Sequence, residues 1–367
     1  MKLAGRSTRP TRPSRRQAGV TLVELMVALT IGLVIVAGLG FIYVSSARVI
    51  RSLEASSRLQ EQMRHAFERI SSDVRMAGFA GCSFQTSAVV LNDAAAWQFD
   101  LFQRPLRGYE EGVDSFPADF GAARLRGDAL VVLRAENSRE YIVESHNPAA
   151  AQLSLSANHD IKQGQILLAT DCSHAALFQM TNVNNSNTVN VIVHNTGSGT
   201  PGNCTKGFGL PVDCTDPIGT PYAFAPGARV FRFSGSAYYV RRNPAGEPAL
   251  YREALQALGG NAQLAPEELV EGIEDVQVTY GIDTSTPADN AVDVYTTAPD
   301  VLAQAPGVTD DEKWRRVLAL RVSVLAVSDQ AVNSQPVRYR FAGVSVMPTD
   351  KRMRKVFTTT IAIRNRL

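Results

Sequence analysis

The sequence predicts an α+β protein: a long N-terminal helix, apolar in its first half and amphipathic in its second, packed on a β-rich, mainly antiparallel globular domain. Three observations carry this expectation. Across residues 20–47 the only charged side chain is Glu24, and the apolar run over 20–44 is 25 residues long. Beyond it, Val49, Leu53, Ser56, Leu59, Met63, Phe67, Ile70, Val74 and Ala77 recur at steps of three and four, the period of one helix face. From Gly78 onward the chain turns to short runs rich in β-branched and aromatic residues. The expected organisation is a leader over 1–19, a helix over 20–77 and a globular domain over 78–367.

The leader carries Lys2, Arg6, Arg9, Arg12, Arg15 and Arg16 and no acid. Positive charge on one flank of a span holds that flank in the cytoplasm, so everything after the span is expected on the exported side. At about 1.5 Å rise per residue, the 25-residue run makes a helix of roughly 37 Å, long enough to cross a bilayer. A soluble core helix is rarely apolar on every face for so long.

Glu24 stands one turn inside this run, where a carboxylate is costly unless it finds a partner. Two readings are open. In one, a cut after Gly19 frees the α-amino group of Val20, about one turn from Glu24 on the same face, and amine and carboxylate neutralise each other. In the other, Glu24 only reaches for the headgroups of an ordinary signal anchor.

Gly19-Val20-Thr21-Leu22-Val23-Glu24-Leu25 resembles the class III signal of type IV prepilins and type II secretion pseudopilins. The resemblance implies cleavage after Gly19 by a prepilin peptidase on the cytoplasmic face and methylation of the new amino terminus at Val20. It also implies that Glu24 recruits the subunit into a helical filament through a neighbour's amino terminus. This sequence departs from the family at Val20, where Phe is usual, and Phe41 stands where major pilins commonly have a mid-span Pro.

On the second half of the helix, Glu54 with Arg58 and Arg64 with Glu68 are spaced as surface pairs worth a few tenths of a kcal/mol each, which describes a solvated face. Gly78 and Gly81 mark the helix end. Strands are expected at 129–134, 140–143, 165–170, 188–194, 228–233, 237–241, 273–280, 317–327 and 355–364. One short helix is expected at 266–270, with Pro266 at its start and Gly272 just past its end.

The 367 residues, 45% hydrophobic, suffice for one large or two modest cores. The formal net charge of +2 includes the leader; without its six cations, 31 Lys and Arg face 35 Asp and Glu, a balance of −4. That argues against a generally basic nucleic-acid binder. Four cysteines, Cys82, Cys172, Cys204 and Cys214, fall on the exported side, where an even count points to disulfides. Cys204 and Cys214 are nearest in sequence and bracket a short loop, which leaves Cys82 for Cys172. Residues 197–227 hold seven Gly and five Pro around that loop and read as irregular.

Here the resemblance narrows to PilW-type minor pilins. Asp73-Val74-Arg75-Met76-Ala77-Gly78-Phe79-Ala80-Gly81-Cys82 resembles the end of that family's first helix. Asp171-Cys172-Ser173 with Leu177-Phe178-Gln179 is similar to a second block, and Leu269-Val270-Glu271-Gly272-Ile273-Glu274-Asp275 through Tyr280-Gly281 to a third. Arg321-Val322-Ser323 with Ile363-Arg364-Asn365-Arg366 resembles a fourth.

Other sites tempt without support. Gly197-Ser198-Gly199-Thr200-Pro201-Gly202 satisfies a nucleotide-loop pattern, but Pro201 and Cys204 stand where a helix should open. Cys172 with His174 lacks zinc-site spacing. Asp283, Asp289 and Asp293 lack the glycine and ligand spacing of a calcium loop, so 283–306 reads as a solvated loop. His65, His146, His159, His174 and His194 are scattered with no nearby nucleophile motif. Lys351, Arg352, Arg354 and Lys355, with Arg338 and Arg340, read as a solvated turn, with nucleic acid or anionic lipid as the alternative.

No catalytic, cofactor or metal residue is expected. The resemblance implies a minor pilin that joins other minor pilins and the major pilin in a priming complex at the inner membrane, at or near the pilus tip, with a tip adhesin as a further partner. Motility, adhesion and DNA uptake then belong to the filament. Two alternatives stay open: a component like pseudopilin J of type II secretion, and a signal-anchored exported binding protein or enzyme cut near residues 37–40, where small residues cluster.

Overall fold

The computed structural model describes residues 19–182, 190–197 and 199–364. The leader before Gly19, the start of the strand expected at 188–194, Ser198 of the glycine-rich pattern and the Asn365-Arg366 end of the fourth block lie outside the described residues. Helix α1 (Leu22–Arg75) is followed by β1 (Thr86–Val89), β2 (Leu106–Tyr109), α2 (Ala118–Gly121), β3 (Arg124–Asn147), β4 (Gln152–Leu155), β5 (Ile166–Thr170), β6 (His174–Gln179), β7 (Val191–Val193) and β8 (Arg229–Arg242). Then come β9 (Pro248–Leu258), β10 (Asn261–Glu271), β11 (Ile273–Ile282), β12 (Val294–Thr296), α3 (Ala298–Gln304), α4 (Asp310–Arg315), β13 (Val317–Ala331), β14 (Tyr339–Phe341), β15 (Val344–Val346) and β16 (Arg352–Ala362). The chain divides into two compact units, residues 1–54 and 55–367.

In the first unit every described residue up to Ser46 is exposed. Its apolar helix belongs to α1, the one helix among the described residues long and apolar enough to cross a membrane.

In the second unit α1 buries Ala55, Leu59, Met63, Ala66, Ile70 and Val74 along one face. Ala55 and Ala66 are buried beside half-buried Ser56 and Phe67, and Phe67 packs against the same core; Val49 and Leu53, expected in the stripe, are exposed. The stripe shares one core with Leu130 and Val132 of β3, Tyr238 and Val240 of β8, Val278 and Tyr280 of β11, and Val322 and Val324 of β13. Each fully buried Leu, Ile or Met of this kind stabilises the unit by about 1.5–3 kcal/mol. Two further cores lie within the larger sheet and under the 197–227 loop.

The larger sheet is organised on β8. Along one edge β8 pairs with β3, and along the other it pairs first with β5 at 229–232 and then with β9 at 236–242. β6 and β1 extend the sheet beyond β5, β10 extends it beyond β9, and β2 and β4 share the outer edge of β3. All these pairs are antiparallel except β1 with β6. The second sheet runs β12-β11-β13-β16 and is antiparallel throughout. Asp128 of β3 ties the sheets together by accepting the Val278 N–H of β11 at 2.8 Å. The preceding Gly127 has φ of +80°, and a Cβ there would meet Asp275 Oδ1 at 2.6 Å, so both backbone and space require glycine.

Several expectations need correction. The helix expected at 266–270 is part of strand β10, with Pro266 opposite Glu253 and a bulge after Glu268. Proline is tolerated because β10 is an edge strand, with β9 its one strand partner among the described residues. The separate strands expected at 228–233 and 237–241 form one strand through Gly235, and those at 129–134 and 140–143 are joined across an irregularity in β3. The 283–306 stretch is not simply solvated: it contains β12 and α3, and Asp283 is buried, accepting the Ser285, Asp289 and Asn290 N–H groups. Arg58 pairs with Asp329 at 3.5 Å rather than with Glu54.

The last turn of α1 is locked by Asp73, which is 1% exposed. Its Oδ1 accepts from Arg134 Nη2 at 2.8 Å, its Oδ2 accepts from the Tyr238 hydroxyl at 2.5 Å, and Arg252 Nε lies 3.6 Å away. Burial pushes this carboxyl up, but Arg134, Arg252 and the Tyr238 O–H outweigh it and hold it below its ordinary range. A negative charge at a helix C-terminus opposes the helix dipole, so the two arginines are needed there. Replacing Asp73 by Ala leaves the largely buried Arg134 without its carboxylate and Arg252 with Glu267 at 3.5 Å, a loss of about 3–5 kcal/mol. Denaturant unfolding of the detergent-solubilised chain, comparing Asp73→Ala with wild type, checks this.

Candidate processing and assembly site

Gly19 and Val20 precede α1 and are exposed. No atom lies within 4 Å of a Cβ built on Gly19, so the fold itself does not require glycine there. Thr21 caps the helix. Its hydroxyl oxygen accepts the Glu24 N–H at 3.3 Å, while Glu24 Oε2 accepts both the Thr21 N–H and the Thr21 hydroxyl at 3.0 Å. This reciprocal arrangement is a capping box, and it satisfies donors that a helix start otherwise leaves open. Both Thr21 donors go to Oε2, and Oε1 has no hydrogen bond among the described residues. One oxygen therefore holds the helix start and the other keeps its capacity to accept from a cation. The Thr-x-x-Glu spacing before an apolar run was the signal for this role, and the two earlier readings of Glu24 did not use it.

The helix behind the cap presents bare hydrocarbon, with Leu22 75% and Phe41 77% exposed. A contiguous apolar surface of this extent requires cover by lipid or by other subunits.

The four cysteines pair as Cys82–Cys172 and Cys204–Cys214, with Cα separations of 5.4 and 4.9 Å. The first ties the segment after α1 to the β5–β6 turn, where Cys172 has φ of +69°. The second lies in the 197–227 loop, which has no helix or strand among its described residues but is packed: Phe208 and Phe224 are buried, and Asn203 exchanges hydrogen bonds with both backbone groups of Gln179.

Three of the scattered histidines converge under that loop. His146 Nδ1 accepts the Phe224 N–H at 3.1 Å, so its proton sits on Nε2 and is donated to His194 Nε2 at 3.2 Å. His194 then carries its proton on Nδ1, which is buried without a partner. Phe208 stacks on the His194 ring at 4.3 Å. His174 donates from Nε2 to the Phe208 carbonyl at 2.6 Å and accepts the Thr86 hydroxyl at Nδ1. Burial pushes His146 down to about 4 and holds His194 well below its ordinary value, with His146 and Lys206 adding to the effect. His65 is exposed on α1, and His159 bonds the Val191 carbonyl. No sequence spacing marks the convergence, because the partners meet only through the sheet. Among the described residues no group of three or more His, Cys, Asp or Glu is placed to hold a metal ion.

Comparison with known proteins places these features. Residues 14–40 match the prokaryotic N-terminal methylation motif, and residues 237–365 match the family described as type IV pilus-assembly protein W. No curated protein matches the chain. Among solved structures, a type IV-like pilin from Thermus thermophilus is 10% identical, with a TM-score of 0.34, over 84% of this chain and 96% of that one. The methylation motif and the apolar helix fit one class, a membrane-anchored type IV pilin-like protein. The match over 237–365, together with the methylation motif, supports a minor pilin of the PilW type.

The neutral histidine pair has a pH signature. Its folded values lie below the unfolded value near 6.5, so its contribution is complete above that pH and is lost as pH falls towards about 4. Thermal unfolding between pH 8 and 4 is expected to show a steeper acid-side loss for wild type than for His146→Gln/His194→Gln, which is less stable at neutral pH but flatter.

Proposed function

We propose that the chain is cut after Gly19 by a prepilin peptidase, methylated at Val20 and held in the inner membrane by its single span, with residues 78–367 in the periplasm. From there it joins other minor pilins in the complex that primes type IV pilus growth, adjoins the major pilin at or near the tip, and supports a tip adhesin. Its work is assembly, with no turnover of a substrate and no direct nucleic-acid contact. The observation that carries this reading is the free Oε1 of Glu24 at the start of an exposed apolar helix, next to the residue whose amine the cut would release. In a hydrocarbon setting, such a carboxylate favours docking beside a neighbour's positive amino terminus. A role in type II secretion shares the same N-terminus; the PilW match over 237–365 favours the pilus.

Mass mapping of the purified protein is expected to find N-methyl-Val20 as the first residue, and a start near Phe41 would remove the anchor and the proposal with it. Two substitutions then separate charge pairing from capping. Glu24→Gln keeps a side chain suited to the capping box, and Glu24→Ala removes both functions. Charge pairing predicts that both leave export intact and lower recovery in sheared pili by about tenfold or more, equivalent to ~1.4 kcal/mol. Recovery of the Gln variant at the normal level would leave capping as the only role.

A further inference from the structure

The connection from β13 to β16, residues 332–351, carries the β14–β15 hairpin and has an amphipathic surface. Val337, Val344 and Met347 are 55%, 60% and 53% exposed. Arg338, Arg340 and Lys351 are exposed on the same segment. The acids around it already have partners: Asp329 pairs with Arg58, Glu247 with Arg352, and Asp350 and Glu274 both with Arg354 at 2.7 Å. No ion pair among the described residues engages Arg338, Arg340 or Lys351. The segment therefore offers three uncompensated cations interleaved with bare aliphatic side chains.

Its roots sit where α1 enters the second unit. Asp329, at the end of β13, reaches Arg58, and Lys355 of β16 donates to the Ser56 hydroxyl. Lys351 stays beside that end through its carbonyl, which accepts the Asn333 N–H at 3.0 Å. In the chain, Ser56 follows the last residue of the apolar run by only twelve positions, and Arg48 and Arg51 stand between. Cations beside a membrane span are attracted to anionic lipid, and exposed Val and Met gain by entering the headgroup boundary. A nucleic-acid surface would use the cations but leave that apolar area in water.

We propose that residues 332–351 form a second membrane contact, in which Arg338, Arg340 and Lys351 hold the phosphate groups of anionic phospholipid while Val337, Val344 and Met347 rest in the interface. The contact steadies the globular domain against the bilayer before the subunit is drawn into a filament. It rests on the membrane-anchored reading of α1, and the test separates the two.

The full chain is reconstituted into nanodiscs of phosphatidylcholine with or without phosphatidylglycerol, and amide hydrogen exchange is followed in peptides covering 332–351. Co-elution of the chain with discs of either lipid reports the anchor alone. The proposal expects exchange in 332–351 to slow by about tenfold or more with phosphatidylglycerol, as three cations at an anionic surface would give. The protection is expected to disappear at high salt and in Arg338→Glu/Arg340→Glu/Lys351→Glu. Equal exchange in both discs overturns it, as does protection by a short DNA duplex in phosphatidylcholine discs without any response to phosphatidylglycerol.

Discussion

The second unit depends on one buried carboxylate. Asp73 closes a helix whose earlier residues are written for hydrocarbon, and it does so against the helix dipole. Arg134 comes from β3, Tyr238 from β8 and Arg252 from β9, so a single charge draws three strands of the larger sheet onto the last turn of α1. Apolar packing along Leu59, Met63, Ile70 and Val74 supplies most of the favourable energy, but it is nearly indifferent to sliding. The paired charge is not. It sets how far along the sheet the helix can sit, and with it where the chain emerges at Ala55.

The same economy appears at the other end of α1. Glu24 uses one oxygen on its own helix start and keeps the other free. A side chain doing only the first task would be replaceable by any good capping partner. On the proposed reading the second oxygen meets a neighbour's amine, and joining both tasks in one residue would explain why a costly charge is tolerated inside an apolar run.

What could be read in the sequence is what is local and periodic. The apolar run, the step of three and four after it, and β-rich stretches such as 273–280 and 317–327 announce themselves within a few residues. The 266–270 stretch was misread because Pro and Gly at its ends imitate helix boundaries, whereas its pairing with β9 is settled by a hairpin partner thirteen or more positions away. The continuity of β8 through Ser234-Gly235-Ser236 was hidden for the same reason: small polar residues look like a turn until β3 pairs with each of them in register. The His146–His194 pair and the Asp73 cluster bring together residues far apart in the chain, and no spacing rule reaches that far. The loop at 197–227 was legible as irregular but not as core, since its burial rests on Phe208 and Phe224 meeting histidines from other elements.

The Cys82–Cys172 bond has a mechanical consequence. Cys82 follows the end of α1 by seven residues, and the bond closes a loop with a sequence separation of 90. Tension that stripped the helix from its packing would therefore pass into the strands beside Cys172, bypassing the intervening chain. At about 3.4 Å per extended residue, roughly 300 Å of contour length stays out of the load path. A chain so loaded would yield only its short tether, residues 76–82, before the force met the sheet.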